Sequence, residues 1–98
     1  MKGHNHDALV SLVRELETRR GPVVALSEAV RWNLTAEVKR LLTGGVNVNG
    51  TTDGGRTPLM YATKCASAQL LLEAGANPNA VDVDGATPLI WFCQGFAN

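Results

Sequence analysis

The chain is short of almost everything that marks catalysis, export or nucleic-acid binding. It has two histidines, two cysteines and no excess of charge, with nine Lys and Arg against nine Asp and Glu in 98 residues. A balanced chain offers no cationic stripe to a polyanion, so nucleic acid is not an expected partner. Cys65 and Cys93 stand far apart with no histidine beside either. The expectation is a reduced, partly buried pair in an intracellular protein. His4 and His6 sit near the N-terminus, where two imidazoles are expected to be solvated rather than to hold a metal. Long apolar runs are missing too. Lys2, His4, Asn5, His6 and Asp7 precede Arg14, Glu15 and Glu17, which leaves no signal-peptide core, and no stretch is long enough to span a bilayer. The expectations are no membrane contact and a cytoplasmic or nuclear location.

Reactive constellations are equally scarce. Asp82-Val83-Asp84-Gly85 looks superficially like a calcium loop but lacks the later bidentate Glu and the alternating oxygen ligands. Asn33-Leu34-Thr35 and Asn49-Gly50-Thr51 fit the glycosylation sequon, yet without an export signal they read as unmodified turn residues. No phosphate-binding glycine loop, Ser-His-Asp set or Cys-His pair can be assembled, and Asp53 and Arg56 read as loop-surface groups. No catalytic residue, no metal and no cofactor are expected. Hydrophobic residues make up 45%, ordinary for a chain that folds, and the length allows one domain with a modest core.

What the chain does have is a period of thirty residues. Between positions 41 and 59, nine of nineteen residues equal those thirty further on. Leu41-Leu42 meets Leu71-Leu72, Gly45 meets Gly75, Asn47 and Asn49 meet Asn77 and Asn79, and Gly55 meets Gly85. Thr57-Pro58-Leu59 meets Thr87-Pro88-Leu89. Each matched residue has a local task. Proline suits the first turn of a helix, where a missing N–H loses nothing, and the preceding threonine can cap that turn. Leu59 and Ala62 would share one face of a short helix. Ser67 would cap a second helix that buries Ala68, Leu71 and Leu72, and Gly75 would end it in the left-handed conformation. Residues 76–85, rich in Asn, Asp and Gly, predict a projecting loop.

Asp53-Gly54-Gly55-Arg56-Thr57-Pro58-Leu59-Met60-Tyr61-Ala62, followed by Leu70-Leu71-Leu72-Glu73-Ala74-Gly75-Ala76-Asn77-Pro78-Asn79, resembles an ankyrin repeat. Leu26, Ala29, Leu34, Val38, Leu41, Leu42 and Gly45 fit the same template earlier in the chain, and the resemblance runs over roughly residues 22–96. It implies an all-α, ankyrin-type helical solenoid of about two and a half repeats. The units would be 22–53, 54–83 and a partial 84–98. Three departures carry consequences. The family's unit is about 33 residues, and the deficit here falls between Ala62 and Leu70, so the helical half of the second unit should be short. The histidine that follows Thr-Pro-Leu in the family is Met60 or Ile90, so its hydrogen bonds between units must be replaced by packing. The small residue inside the first helix becomes Phe92 in the last unit.

The ends need covering. Residues 1–21 read as a tail and an amphipathic capping helix: Asp7 could cap it, Leu9, Leu12, Val13 and Leu16 share a face, and Gly21-Pro22 stops it. At the other end Leu89, Ile90, Trp91, Phe92 and Phe96 carry more apolar surface than one helix hides. Either the chain opens a longer protein, such as an enzyme or channel with an ankyrin segment, or another chain covers this end, with homo-association through 89–96 as one form.

The resemblance implies a non-catalytic scaffold that binds a protein partner on its concave face, through loop tips and the exposed side of each first helix. Carried onto this sequence, the loop tips are Thr51, Asp53, Gly54 and Arg56, then Val81, Val83, Asp84 and Ala86. The helix positions are Trp32, Tyr61, Lys64 and Trp91. The candidate partner-binding set is therefore Trp32, Thr51, Asp53, Arg56, Tyr61, Lys64, Asp84 and Trp91. Trp, Tyr and Arg are the types that dominate interface energies. For Trp32, Tyr61 and Trp91 a place in the core or as a lid over a helix pair is the competing reading.

Overall fold

The computed structural model describes residues 6–88. The chain runs α1 (His6–Arg19), α2 (Pro22–Arg31), α3 (Thr35–Thr43), two short 3-10 turns (Asp53–Gly55 and Pro58–Tyr61) and α4 (Cys65–Glu73), with no strand among the described residues. This is the expected all-α solenoid. α2 and α3 form one helix pair, Pro58–Tyr61 and α4 form the next, and α1 lies on the outer side of α2 as a cap.

Three helices end in the same way, and that recurrence sets the repeat. α2 closes at Asn33 (φ 54°), α3 at Gly45 (φ 92°) and α4 at Gly75 (φ 98°), all left-handed. At each end two amide N–H groups reach back to orphan carbonyls. Asn33 N–H donates to Val30 O and Leu34 N–H to Ala29 O; Gly45 N–H donates to Leu42 O and Val46 N–H to Leu41 O. Gly75 N–H donates to Leu72 O and Ala76 N–H to Leu71 O. The apolar residue after each reversal, Leu34, Val46 or Ala76, then packs back on the core.

One apolar core runs through the four α-helices and the Pro58–Tyr61 turn. Val13 of α1, Leu26 and Val30 of α2, Val38 and Leu41 of α3, Leu59, and Leu71 of α4 are all buried. On α1 the stripe is Leu9, Val13 and Leu16; Leu12, expected on that face, is 40% exposed. A stripe at i, i+4 and i+7 is satisfied without it. Asp7 does not cap α1. It lies within the first turn, where its charge still complements the helix dipole.

The second unit is short, as its deficit of residues requires. Its first helix is reduced to the four-residue 3-10 turn Pro58–Tyr61, and Ala62 is already extended (φ −67°, ψ 131°). Ala62 is therefore not on a helical face with Leu59, although it still packs on the core. α4 starts at Cys65 with Lys64 at its N-cap, so Ser67 is inside the helix rather than at its cap. There Ser67 is fully buried, and its hydroxyl donates to Asn33 Oδ1 at 2.6 Å. The residue that closes α2 thus also receives the neighbouring unit. Three more bonds cross this junction. Thr63 Oγ1 donates to Arg31 O at 3.3 Å. Asn49 accepts Asn77 N–H at 2.8 Å on its Oδ1 and donates from Nδ2 to Gly75 O at 3.1 Å.

A charged network, absent from the expectations, fastens the cap. Glu37 of α3 is 6% exposed and accepts hydrogen bonds from Arg14 of α1 and Arg40 of α3, at 3.2 and 3.1 Å. Arg40 also donates to Glu17 of α1 at 2.9 Å. Burial pushes the Glu37 carboxyl up, but the bonds and charges of Arg14 and Arg40 outweigh it and hold the group below its ordinary value. A carboxyl depressed in the fold adds stability above its unfolded-state pKa, and that stability is lost as pH falls through the lower, folded value. The thermal midpoint is therefore expected to fall on acidification below about 4.5, the ordinary value. Glu37→Ala should flatten that fall and cost roughly 1–2 kcal/mol at neutral pH. Urea denaturation across pH checks both; an unchanged pH profile in the variant would remove Glu37 from the account.

Thr57 occupies the N-cap position before Pro58 but makes no side-chain cap bond. Its Oγ1 is buried with no hydrogen-bond partner. A buried hydroxyl left unpaired costs free energy, and an isosteric apolar group removes the cost. Thr57→Val is expected to hold or raise stability by up to about 1 kcal/mol, measured by denaturant midpoint; a clear loss would show that the hydroxyl is paired in solution.

Candidate partner-binding surface

After each described helix pair the chain makes a hairpin turn, and the two turns match. In the first, Thr52 N–H donates to Arg56 O at 2.8 Å and Gly55 N–H to Thr52 O. In the second, thirty residues on, Asp82 N–H donates to Ala86 O at 3.0 Å and Gly85 N–H to Asp82 O. Val83 N–H donates to Gly54 O at 3.0 Å, which lays one turn on the other. Gly54 and Gly55 both have positive φ, 82° and 74°, as this reversal demands.

Asp82 organises the second turn. Its Oδ1 accepts the N–H groups of Ala86 (2.9 Å) and Asp84 (2.8 Å), and its Oδ2 lies 3.7 Å from Arg56 Nε. The Ala86 bond chiefly holds this carboxyl below the usual range, with Asp84 and Arg56 adding to it against the opposing effect of burial. On the first turn the position of Asp82 is taken by Thr52, whose hydroxyl shares a 2.7 Å hydrogen bond with the Tyr61 hydroxyl.

These contacts frame two hollows on the side where turns and first helices meet. One, about 280 Å³, is lined by Leu16 of α1 and Arg20 just beyond its end, Val24, Ser27 and Glu28 of α2, and Thr52, Asp53, Arg56 and Tyr61. The other, about 370 Å³, is lined by Arg56, Met60, Tyr61, Ala62, Asp82, Ala86 and Thr87. Arg56 and Tyr61 belong to both and form the wall between them. Arg20 lies 3.7 Å from the fully exposed Asp53 carboxylate across the rim of the first hollow.

Of the expected residues, the structure brings Asp53, Arg56 and Tyr61 together here. Thr51 is exposed beside the first turn, and Asp84 is exposed at the tip of the second. Trp32 and Lys64 line neither hollow. Trp32 is half-buried at the C-cap of α2, packed against the core, with its indole N–H donating to Glu28 Oε1 at 3.0 Å and Arg31 stacked 5.6 Å over its ring. Lys64 is not on a first helix but at the extended start of α4. Trp91 lies outside the described residues, as do the rest of the apolar stretch 89–96, His4 and Cys93. The sequence reading missed Leu16, Arg20, Val24, Ser27, Glu28 and Thr52; only the placement of α1 beside the turn brings the first two in.

Cys65 corrects an expectation. It is disulfide-bonded, and no free cysteine occurs among the described residues. Both sequon asparagines are engaged: Asn33 by Ser67, and Asn49 by Gly75 and Asn77. His, Cys, Asp and Glu nowhere gather as a metal-holding group among the described residues. No described helix is long and apolar enough to cross a membrane.

A family model of ankyrin repeats (3 copies) matches residues 2–82. The chain belongs to the ankyrin repeat family. The matched span takes in α1 as well as the two helix pairs. No curated protein matches the chain. As an ankyrin-repeat chain it is a non-catalytic scaffold, with Met60 in place of the family's histidine beside the unpaired hydroxyl of Thr57.

Because Asp82 receives two turn amides, Asp82→Ala is expected to leave the helices intact while hydrogen-exchange protection falls at Asp84 and Ala86. Equal protection in parent and variant would show that the turn holds without the carboxylate.

Proposed function

We propose that this ankyrin-repeat chain is a protein-binding module that receives its partner across the two hollows, with the wall formed by Arg56 and Tyr61 as the central contact. The observation that carries this is the sharing of those two residues by both hollows. A guanidinium and a phenol between two recesses suit the anchor role that Arg and Tyr play in interfaces, with Asp53 and Arg20 at a polar rim. Thr51 and Asp84 extend the surface at the turn tips. Trp32 and Lys64 stand at its margin, with Trp32 serving chiefly as a lid on the end of α2. A cytoplasmic or nuclear setting remains part of the proposal.

The test is affinity capture on the immobilised chain, compared with an Arg56→Ala/Tyr61→Ala variant. A second variant, Lys39→Ala/Gln69→Ala, alters a separate groove between α3 and α4 that shares no lining residue with either hollow. The partner's affinity is expected to drop by about 1–2 kcal/mol or more in the first variant and to hold in the second. Tyr61 also packs on the core, so helix content is followed by circular dichroism and Asp53→Ala/Arg56→Ala is run beside it. If the partner binds all the variants equally, or is lost only with the α3–α4 variant, the surface is wrongly assigned.

A further inference from the structure

Asn49 is followed by Gly50, the dipeptide in which an asparagine side chain is most open to attack by the next backbone nitrogen, because glycine carries no Cβ to obstruct the approach. The glycine is imposed by packing. A Cβ at position 50 would lie 2.7 Å from Val23 Cγ2 of α2, so the fold requires the reactive pair where it stands. The same asparagine is the clamp between the two units, accepting Asn77 N–H at 2.8 Å and donating to Gly75 O at 3.1 Å. Gly50 N–H is itself turned toward Asn47 O at 3.0 Å.

We propose that Asn49 is a deamidation site gated by the junction between the units. Its side chain is exposed to water, so protection comes from geometry and not from burial. Both ends of the amide are held by the second unit, and the attacking nitrogen is held by Asn47. When the junction opens, Gly50 N attacks Asn49 Cγ, the new N–Cγ bond closes a succinimide, and the side-chain nitrogen leaves as ammonia with the Gly50 proton. Water then adds to one of the two imide carbonyls and breaks its C–N bond, giving Asp or isoAsp; no oxidant or reductant takes part. The product has no hydrogen to donate to Gly75 O, and its carboxylate faces that carbonyl instead. The junction cannot close as before, so the reaction is a one-way record of opening. Asn79 supplies the internal comparison. It makes the same turn, its N–H donating to Asn77 Oδ1 at 2.9 Å as Asn49 N–H does to Asn47 Oδ1 at 3.0 Å, but Ala80 follows it.

The experiment incubates the intact chain at mildly alkaline pH, in native buffer and in urea, and follows the NH2-to-OH mass increment on the peptide containing Asn49. Conversion at Asn49 is expected to be faster in urea by about tenfold or more, the signature of a reaction limited by opening, and to outrun Asn79 there. A native rate equal to the rate in urea overturns the gate. For the consequence, Asn49→Asp is expected to lower the thermal midpoint while Asn79→Asp leaves it unchanged. If Asn49→Asp melts with the parent, the clamp is not what the reaction removes and the proposal fails.

Discussion

The packing of the 3-10 turn Pro58–Tyr61 onto α2 is the contact on which the rest of the molecule depends. A stack of short helices has no long-range order of its own, so each unit holds its place only by fitting its neighbour. Here the second unit has lost most of its first helix, and Leu59, 1% exposed, carries the apolar contact that a full helix would spread over several side chains. Polar bonds at fixed positions compensate. Ser67 reaches Asn33, Thr63 reaches Arg31 O, and Asn49 spans to Gly75 and Asn77. None is deeply shielded except Ser67 to Asn33, which makes that pair the register pin of the junction: a shift of either helix would leave a buried hydroxyl unpaired.

Asn33 shows how one residue serves two levels of structure. Its left-handed backbone closes α2, a conformation that asparagine tolerates better than other side-chain-bearing residues. Because the backbone turns there, its amide is directed at the next unit. Local helix ending and inter-unit docking are thus a single event. The same economy recurs where Asp82 opens one turn and pairs with Arg56 of the turn before it.

The units were legible in the sequence because their signals are local. Thr-Pro-Leu and the Gly reversals report backbone requirements that hold wherever the residues lie, and the shortening after Ala62 could be counted directly. The cap positions failed for the complementary reason. Ser67, Thr57 and Asp7 are all good N-cap residues, yet Ser67 and Asp7 lie within their helices and Thr57, at the N-cap, makes no side-chain cap bond. Inside its helix Ser67 pairs with Asn33, while the Thr57 hydroxyl is buried without a partner. The Arg14–Glu37–Arg40–Glu17 network was invisible because its members come from helices far apart in the chain, and each alone looks like a solvated charge. The disulfide at Cys65 was misread because two distant cysteines carry no spacing signal.

That network also bears on the proposed surface. α1 does more than cover the apolar side of α2: Leu16, with Arg20 just past the helix end, forms one wall of the first hollow, and Arg14 and Glu17 hold α1 to α3. Position on the cap and shape of the hollow are therefore linked. Loosening the ion pairs would move Leu16 and Arg20 relative to Asp53 and Arg56 without touching either turn. Since Arg14 is largely exposed and Glu37 is not, screening by salt weakens the outer part of this link before the inner part. On this geometry the first hollow should respond to ionic conditions through α1, while the second, built wholly within the repeats, depends on them only through its own Arg56–Asp82 pair.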